Sequence, residues 1–423
     1  MKNVLLITGQ DITKSSGIIA FDVLNALKDR NNVKILTNVK AGEENQFVIR
    51  FKPKYPILII IAKIIKNIEE KFRKRNPKYY MASVDMFFTN IWSDGILKAL
   101  PFKPDIIFYL HPVNYLTMRD LHIVSKKCEA PLLIYMMDMA ILTGGCHYAW
   151  DCKGYKSDCG KCPGLHSSNS YDKTSEVIKL KKKYIKDSEI YPVAASAWQW
   201  NQLNESSVFE NQKKYKIMSP TNETLFYPGD KVKEREFLGI PKNKKIIFFG
   251  AVYEHEERKG FAQLLEIIKI LYKISGEKEK SEIHFIIAGK FSEKFEKEIP
   301  FGKTQIGFLP HDKLSAAYRA ADIYLNSSIE DSGPTMINQA VMSGTPVVCF
   351  EMGVAPDLVI NGVTGFKVDL YDCRALAEAL LKLLRLSEDE YMKMSENCRN
   401  LAVQTCSHKT ISEEFQKIID ELT

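Results

Sequence analysis

Residues 329–348, IEDSGPTMINQAVMSGTPVV, set an acidic pair before Ser332-Gly333-Pro334, then a short helix-forming stretch, then Gly344. Pro334 suits the first helical position, where its missing N–H costs nothing, and Gly344 suits a left-handed stop. The backbone N–H groups of Gly333, Thr335 and Met336 would then converge on a positive helix end, a site for a phosphate or diphosphate. Asp331 precedes that end, and Gln339 follows Asp331 by eight residues, about one and a half turns into the helix. A capped helix with a solvent-facing aspartate would read the same, and spacing alone leaves both open.

A second charged loop begins at Gly250: GAVYEHEERKGFAQLLEII. Gly250 is expected to close a strand. Arg258 and Lys259 precede a helix whose expected apolar face is Phe261, Leu264, Leu265 and Ile268. Adjacent cations suit the stabilisation of a departing diphosphate, and a basic surface pair would look no different in isolation. A third cluster, CHYAWDCKGYKSDCGKC, holds Cys146, Cys152, Cys159 and Cys162 within seventeen residues. Four thiols ending in Cys-Gly-Lys-Cys can close a tetrahedral structural zinc site, with His147 able to replace one ligand. The spacing is not a common zinc-finger spacing, so reduced thiols, disulfides and an iron–sulfur cluster stay open. The other cysteines, at 128, 349, 373, 398 and 406, read as fillers.

The elements that must position these residues are short aliphatic strands alternating with longer helical patterns. Strands are predicted at Val4–Thr8, Val33–Thr37, Asp105–Leu110, Leu132–Met136 and Tyr191–Ser196 in the first half. The second half supplies Lys245–Phe249, Ile283–Ala288, Thr304–Ile306, Ile323–Asn326, Pro346–Phe350 and Gly365–Val368. Such alternation implies an α/β protein with parallel sheets and crossover helices. Two series, changing over near Lys216–Pro228, give two Rossmann-like, doubly wound domains facing each other across a cleft. The expected division is 1–215, carrying the Cys-rich loop 146–162, then 216–400, then a helix at 401–423 that could cross back to the first domain. GEKEKSE at 276–282 reads as a polar loop. In TGQDITKSSGIIAFDVL, Gly17 opens a helix after the first strand and could let backbone approach a phosphate or an acceptor. An ordinary strand–helix turn fits equally, and the lack of a G-x-G-x-x-G pattern gives no support to a dinucleotide cofactor.

The 423 residues exceed one compact core, and 45% hydrophobic with 26% charged residues is the composition of an ordinary globular protein. The formal charge of +7 suits contact with phosphates or an anionic surface without selecting a partner. MKNVLLITGQD reads as a first strand and not a signal peptide, so a cytoplasmic location with reduced cysteines is expected. KPKYPILIIIAKIIKNIEEKFRKR, 52–75, is too short in its apolar part to span a bilayer. It can be a basic amphipathic helix on an anionic membrane, with contact through 53–75, or a core helix with a lysine-rich end. No basic patch interleaved with aromatics appears, so a nucleic-acid partner is not expected.

Together the quoted stretches resemble the retaining nucleotide-sugar glycosyltransferases of family 4, which have the two-domain GT-B fold. The resemblance runs through KIMSPTNETLFYP, IIFFGAVYEHEERKGF, FIIAGK and the long block from IGFLPHDKL to GVTGFKV; YLHPVNYL and MDMAILTGGCHYAWDC resemble a capsular and surface-polysaccharide subgroup. It implies a UDP- or GDP-linked sugar donor, a glycan or lipid-linked acceptor and no metal or other cofactor for catalysis. Arg258, Lys259, Asp331, His111 and Asp138 are then the catalytic set. Gly17, Gly250, Gly289, Ser332, Gly333, Pro334, Thr335, Met336 and Gln339 are implied to bind the donor. Asp331 and Gln339 stand where the family has two glutamates, one holding sugar hydroxyls and one the ribose. Ala251 replaces an arginine, Met137 a histidine, and Ser219 and Asn222 an asparagine and an aspartate. These departures leave open a binding protein of the same fold that no longer transfers, and the scaffold also hosts nucleotide-sugar epimerases and phosphorylases, a further alternative.

Overall fold

The computed structural model describes residues 1–10, 12, 17–39, 45–58, 60, 61, 64, 75–81, 91–110, 116–253, 256–333 and 335–423. His111 and Pro334 lie outside them, as does most of the basic run at 62–74. The chain divides into two compact units, Met1–Pro220 with Ile411–Thr423, and Thr221–Thr410. Both are α/β, each built on one parallel sheet.

The first unit contains β1 (Asn3–Thr8), α1 (Ile18–Leu27), β2 (Asn32–Thr37), β3 (Val48–Arg50), α2 (Ile91–Ala99), β4 (Ile106–Leu110) and α3 (Met118–Cys128). After these come β5 (Leu132–Tyr135), α4 (Lys173–Lys186), β6 (Ile190–Ala194), α5 (Ala197–Glu205) and β7 (Tyr215–Lys216). Among the described residues the sheet order is β3-β2-β1-β4-β5-β6-β7, all parallel. Val4 pairs with Ile106 and Ile107 with Leu132, and the central strands are apolar and buried. Helices cover both faces of such a sheet, which is why these strands read as continuous apolar runs. Polar caps start the covering helices: Thr117 and Asp120 form a capping box for α3, and Asp172 accepts from Thr174 and Ser175 at α4.

The second unit contains α6 (Lys231–Phe237), β8 (Lys245–Tyr253), α7 (Phe261–Ile274), α8 (Glu277–Glu282), β9 (Ile283–Lys290), α9 (Glu293–Lys297) and β10 (Gly302–Gly307). It continues with α10 (His311–Ala320), β11 (Ile323–Asn326), α11 (Thr335–Met342), β12 (Val347–Phe350), α12 (Ala355–Leu358), β13 (Gly365–Val368), α13 (Cys373–Leu384) and α14 (Glu388–Cys406). Its sheet order is β10-β9-β8-β11-β12-β13. The order reverses between β8 and β11, the neighbouring strands whose carboxyl ends carry the charged loops. Thr221 N–H donates to Cys406 at 2.8 Å and Thr221 bridges Ser407, so the chain arrives at and leaves this unit side by side. The last helix, α15 (His408–Leu422), places Phe415 edge-on to Phe108 with ring centres 5.2 Å apart and against Tyr135 at 6.0 Å.

Several local expectations need correction. GEKEKSE is helix α8: Glu279 reaches back to the Gly276 N–H at 2.8 Å and so closes the first turn without an apolar stripe. Gly250 does not close its strand, because β8 runs on to Tyr253 with a register shift between Gly250 and Tyr253. The buried face of α7 is Leu264, Ile267, Ile268 and Leu271, with Phe261 and Leu265 at its margin. Gly344 has φ +73°, the left-handed stop expected after α11.

Candidate functional site

Two loops meet at the carboxyl ends of β8 and β11. After β8 the chain makes a 3-10 turn at Glu257–Lys259, then Gly260, then α7. Gly260 has φ +67°, and a Cβ there would stand 1.9 Å from the Ser327 carbonyl oxygen. Only glycine permits so close an approach in this conformation. It lets the turn lie along the β11 loop. The N–H groups of Ile329 and Glu330 donate to the Arg258 carbonyl at 2.8 and 3.2 Å, and the Ser327 hydroxyl donates to the Lys259 carbonyl at 3.0 Å.

That backbone zipper brings the charges together. Asp331 is 7% exposed, and its Oδ2 accepts from Arg258 at 2.8 Å and from Lys259 Nζ at 2.5 Å. Its Oδ1 accepts the Gly333 N–H at 3.2 Å. A second guanidinium nitrogen of Arg258 reaches Glu256 at 2.8 Å. Burial alone would push the Asp331 carboxyl up, but the Lys259 and Arg258 charges outweigh it and hold the group at about 2. Asp331 is therefore an anion throughout the physiological range and has no proton to donate. Two cations and two carboxylates balance here. The Arg258 and Lys259 side chains remain 24% and 23% exposed, so an anionic ligand can reach them.

The start of α11 stands beside this cluster, with Thr335 exposed and Met336 partly so. The Gly333 N–H, expected to serve a ligand, is already engaged by Asp331. Ser332 is buried. A Cβ on Gly250 would meet the Met336 methyl at 3.2 Å, which places that strand position under α11. Gly289, with φ +129°, lets β9 leave beside Ala251, whose carbonyl would lie 1.8 Å from a Cβ. Gln339 is 7% exposed, and its Oε1 accepts from the buried Tyr318 hydroxyl at 3.1 Å. Glu256, Gly260 and Tyr318 were missed from sequence. The lone signal for any of them was the glycine between a basic pair and a helix.

In the first unit, Gly17 precedes α1 and its carbonyl accepts from Ala20 at 3.0 Å. Asp138 follows β5 and is 3% exposed. One oxygen accepts from Ala140 N–H at 2.7 Å, and the other lies 2.8 Å from His147 Nδ1. His147, expected as a stand-in metal ligand, is thus turned to a carboxylate and does not line the cysteine cavity. Cys146, Cys152, Cys159 and Cys162 do line one cavity, and none is in a disulfide. Burial pushes Cys146 up to about 12 and Cys159 to about 11.

Parallel-sheet α/β architecture in both units, with a charged site beyond the carboxyl ends at the point where one sheet reverses, is the class of structure known as GT-B. Residues 230–401, within the second unit, match the glycosyl transferases group 1 family. The D-inositol 3-phosphate glycosyltransferase of Corynebacterium glutamicum is 31% identical over 197 residues, 43% of this chain and 46% of that protein. Its counterpart in Mycobacterium tuberculosis is 27% identical over 175 residues, 38% of this chain and 34% of that protein. The chain therefore matches less than half the length of these relatives. Among solved structures, Anabaena HepE in complex with UDP and glucose aligns over all of both chains with a TM-score of 0.62 and 16% identity. Sucrose-phosphate synthase from Thermosynechococcus elongatus aligns over 100% and 99% with a TM-score of 0.66 and 15% identity. At those identities the likeness concerns the fold.

Proposed function

We propose that this chain is a retaining glycosyltransferase that moves a sugar from a UDP- or GDP-linked donor to a glycan or lipid-linked acceptor in surface-polysaccharide synthesis. The observation that carries the reading is the buried Asp331 carboxylate shared by Arg258 and Lys259 at the head of α11. A donor diphosphate supplies the anions those cations can turn to, and charge developing on the leaving nucleotide is met by fixed cations and the helix end. No catalytic metal is required for that. Asp331 stays ionised, so its part is to orient the cations and accept hydrogen bonds from sugar hydroxyls. Gln339, as a neutral amide, offers the ribose a hydrogen bond in place of a charge. The likeness to a UDP-and-glucose complex supports the donor class, and the family match supports the reaction.

Residues 56–58, 60, 61 and 64 are helical, and Ile57, Ile60, Ile61 and Ile64 are 70%, 57%, 39% and 52% exposed. Their i, i+3, i+4, i+7 spacing makes one apolar stripe. This pattern, followed in the sequence by a basic run, supports peripheral contact with an anionic membrane and with it a lipid-linked acceptor. The core-helix alternative would have buried these isoleucines. No described helix is long and apolar enough to cross a membrane.

The test is transfer and donor hydrolysis with a panel of UDP- and GDP-sugars. Arg258→Ala and Lys259→Ala are each expected to lower turnover about 10²–10³-fold. Lys259→Arg, which keeps the charge, controls for folding and should retain most of it. Wild-type rates in both alanine variants reject the assignment. No turnover with any donor despite nucleotide binding identifies a binding protein, and product formed without acceptor identifies an epimerase.

A further inference from the structure

We infer that Cys146, Cys152, Cys159 and Cys162 form a four-sulfur zinc site that fastens the 137–172 loop to the first unit. The four residues line one cavity of about 20 Å³, bordered also by residues such as Tyr79, Thr143 and Tyr155. A Cβ on Gly154 would lie 3.5 Å from the Cys152 sulfur and 3.6 Å from the Cys159 sulfur, so both sulfurs reach around the same small volume. Among the described residues, no three His, Cys, Asp or Glu groups already stand at metal-holding distance. Binding would require the sulfurs to turn about Cα–Cβ to a Zn–S separation of about 2.3 Å.

Two independent features favour a metal over plain thiols. The first is the setting of the cysteines. The Leu165 N–H donates to the Cys162 carbonyl at 3.1 Å and the Thr143 hydroxyl to the Cys146 carbonyl at 2.6 Å, so local bonds fix the backbone of two of the four. Four thiolates around Zn²⁺ leave a charge of minus two. Buried Lys181, held by the Ala140 and Thr143 carbonyls at 2.7 Å each, lies close enough to act on Cys159.

The second feature is the loop's own energetics. Trp150, Cys159, Lys161 and His166 all have positive φ, four of the seven such non-glycine residues described. Each costs roughly 1–3 kcal/mol. Ile141 and Leu142 join the main core of the unit, but from 143 to 172 the buried apolar side chains are Ala149, Tyr155 and Cys162. So little burial does not offset that strain, whereas a structural zinc supplies folding free energy directly. Each thiol releases its proton as its sulfur takes the ion.

The experiment is elemental analysis of full-length protein purified without a His tag or added zinc, with cobalt exchange as the second readout. Expected are about one zinc per chain and, with cobalt, the charge-transfer and visible bands of a tetrahedral sulfur site. Cys159→Ser/Cys162→Ser should lose both. If that variant does not fold, thiol blocking of the wild-type protein should release the same one zinc. Metal-free protein, iron with labile sulfide, or disulfides mapped between these cysteines by mass spectrometry would each overturn the inference.

Discussion

Replacing Asp331 by Asn removes one charge from the centre of the second unit's site and leaves its shape nearly unchanged. The carboxyl is held at about 2 against an ordinary 3.8. At about 1.4 kcal/mol per pH unit, that gap amounts to roughly 2.5 kcal/mol of stability at neutral pH. The full 3–5 kcal/mol of a broken buried pair does not apply, because both cations keep about a quarter of their side chains in water. The sign follows from the lowered value. The advantage of wild type over Asp331→Asn is complete above about pH 4 and fades as pH falls toward 2. For a unit of this size the loss corresponds to roughly 5–10 °C in its melting temperature. Calorimetry must make the measurement, since the four tryptophans, at 92, 150, 198 and 200, all lie in the first unit and cannot report on the second. An Asp331→Asn transition within 1 °C of wild type at pH 7 would refute the electrostatic account. So would a wild-type advantage at pH 3 as large as that at pH 7.

Gly260→Ala must put a Cβ at 1.9 Å from a carbonyl in a left-handed backbone, so the second unit's calorimetric transition should fall by more than 5 °C. An unchanged transition would mean that the zipper between the two loops is not as described. Asp322 accepts from Lys231 at 2.7 Å, from Arg235 at 2.8 Å and from the Ile246 N–H at 2.7 Å. Asp322→Ala should cost about 3 kcal/mol by leaving the buried Arg235 and the half-buried Lys231 without their carboxylate, read from urea unfolding followed by circular dichroism. Tyr318→Phe removes the hydroxyl that Gln339 accepts from and should cost about 1 kcal/mol in the same assay. A change under 0.3 kcal/mol would show that the contact is not made in solution.

The sheets were readable because parallel strands buried on both faces must be largely apolar, as β1, β4, β9 and β12 are. β3 and β7 escaped because they have only three and two residues, too few to show a pattern. Helix α8 escaped because it is stabilised by a cap and by charge alone, and periodicity methods look for a buried stripe. At the site, residue types were legible and their partners were not. Asp331 and the 258–259 pair are more than seventy positions apart, and they meet because β8 and β11 are neighbours in the sheet. Likewise Asp138 was singled out for chemistry without its buried companion His147, a pairing that local spacing does not reveal.

Phe415 fills its place between Phe108 and Tyr135 from a helix that follows the whole second unit. On the ribosome, 190 residues, Thr221 to Thr410, must therefore be translated before that place can be filled. At about 5–20 residues per second this is roughly 10–40 s during which a nascent aromatic slot stays open to solvent or to a chaperone.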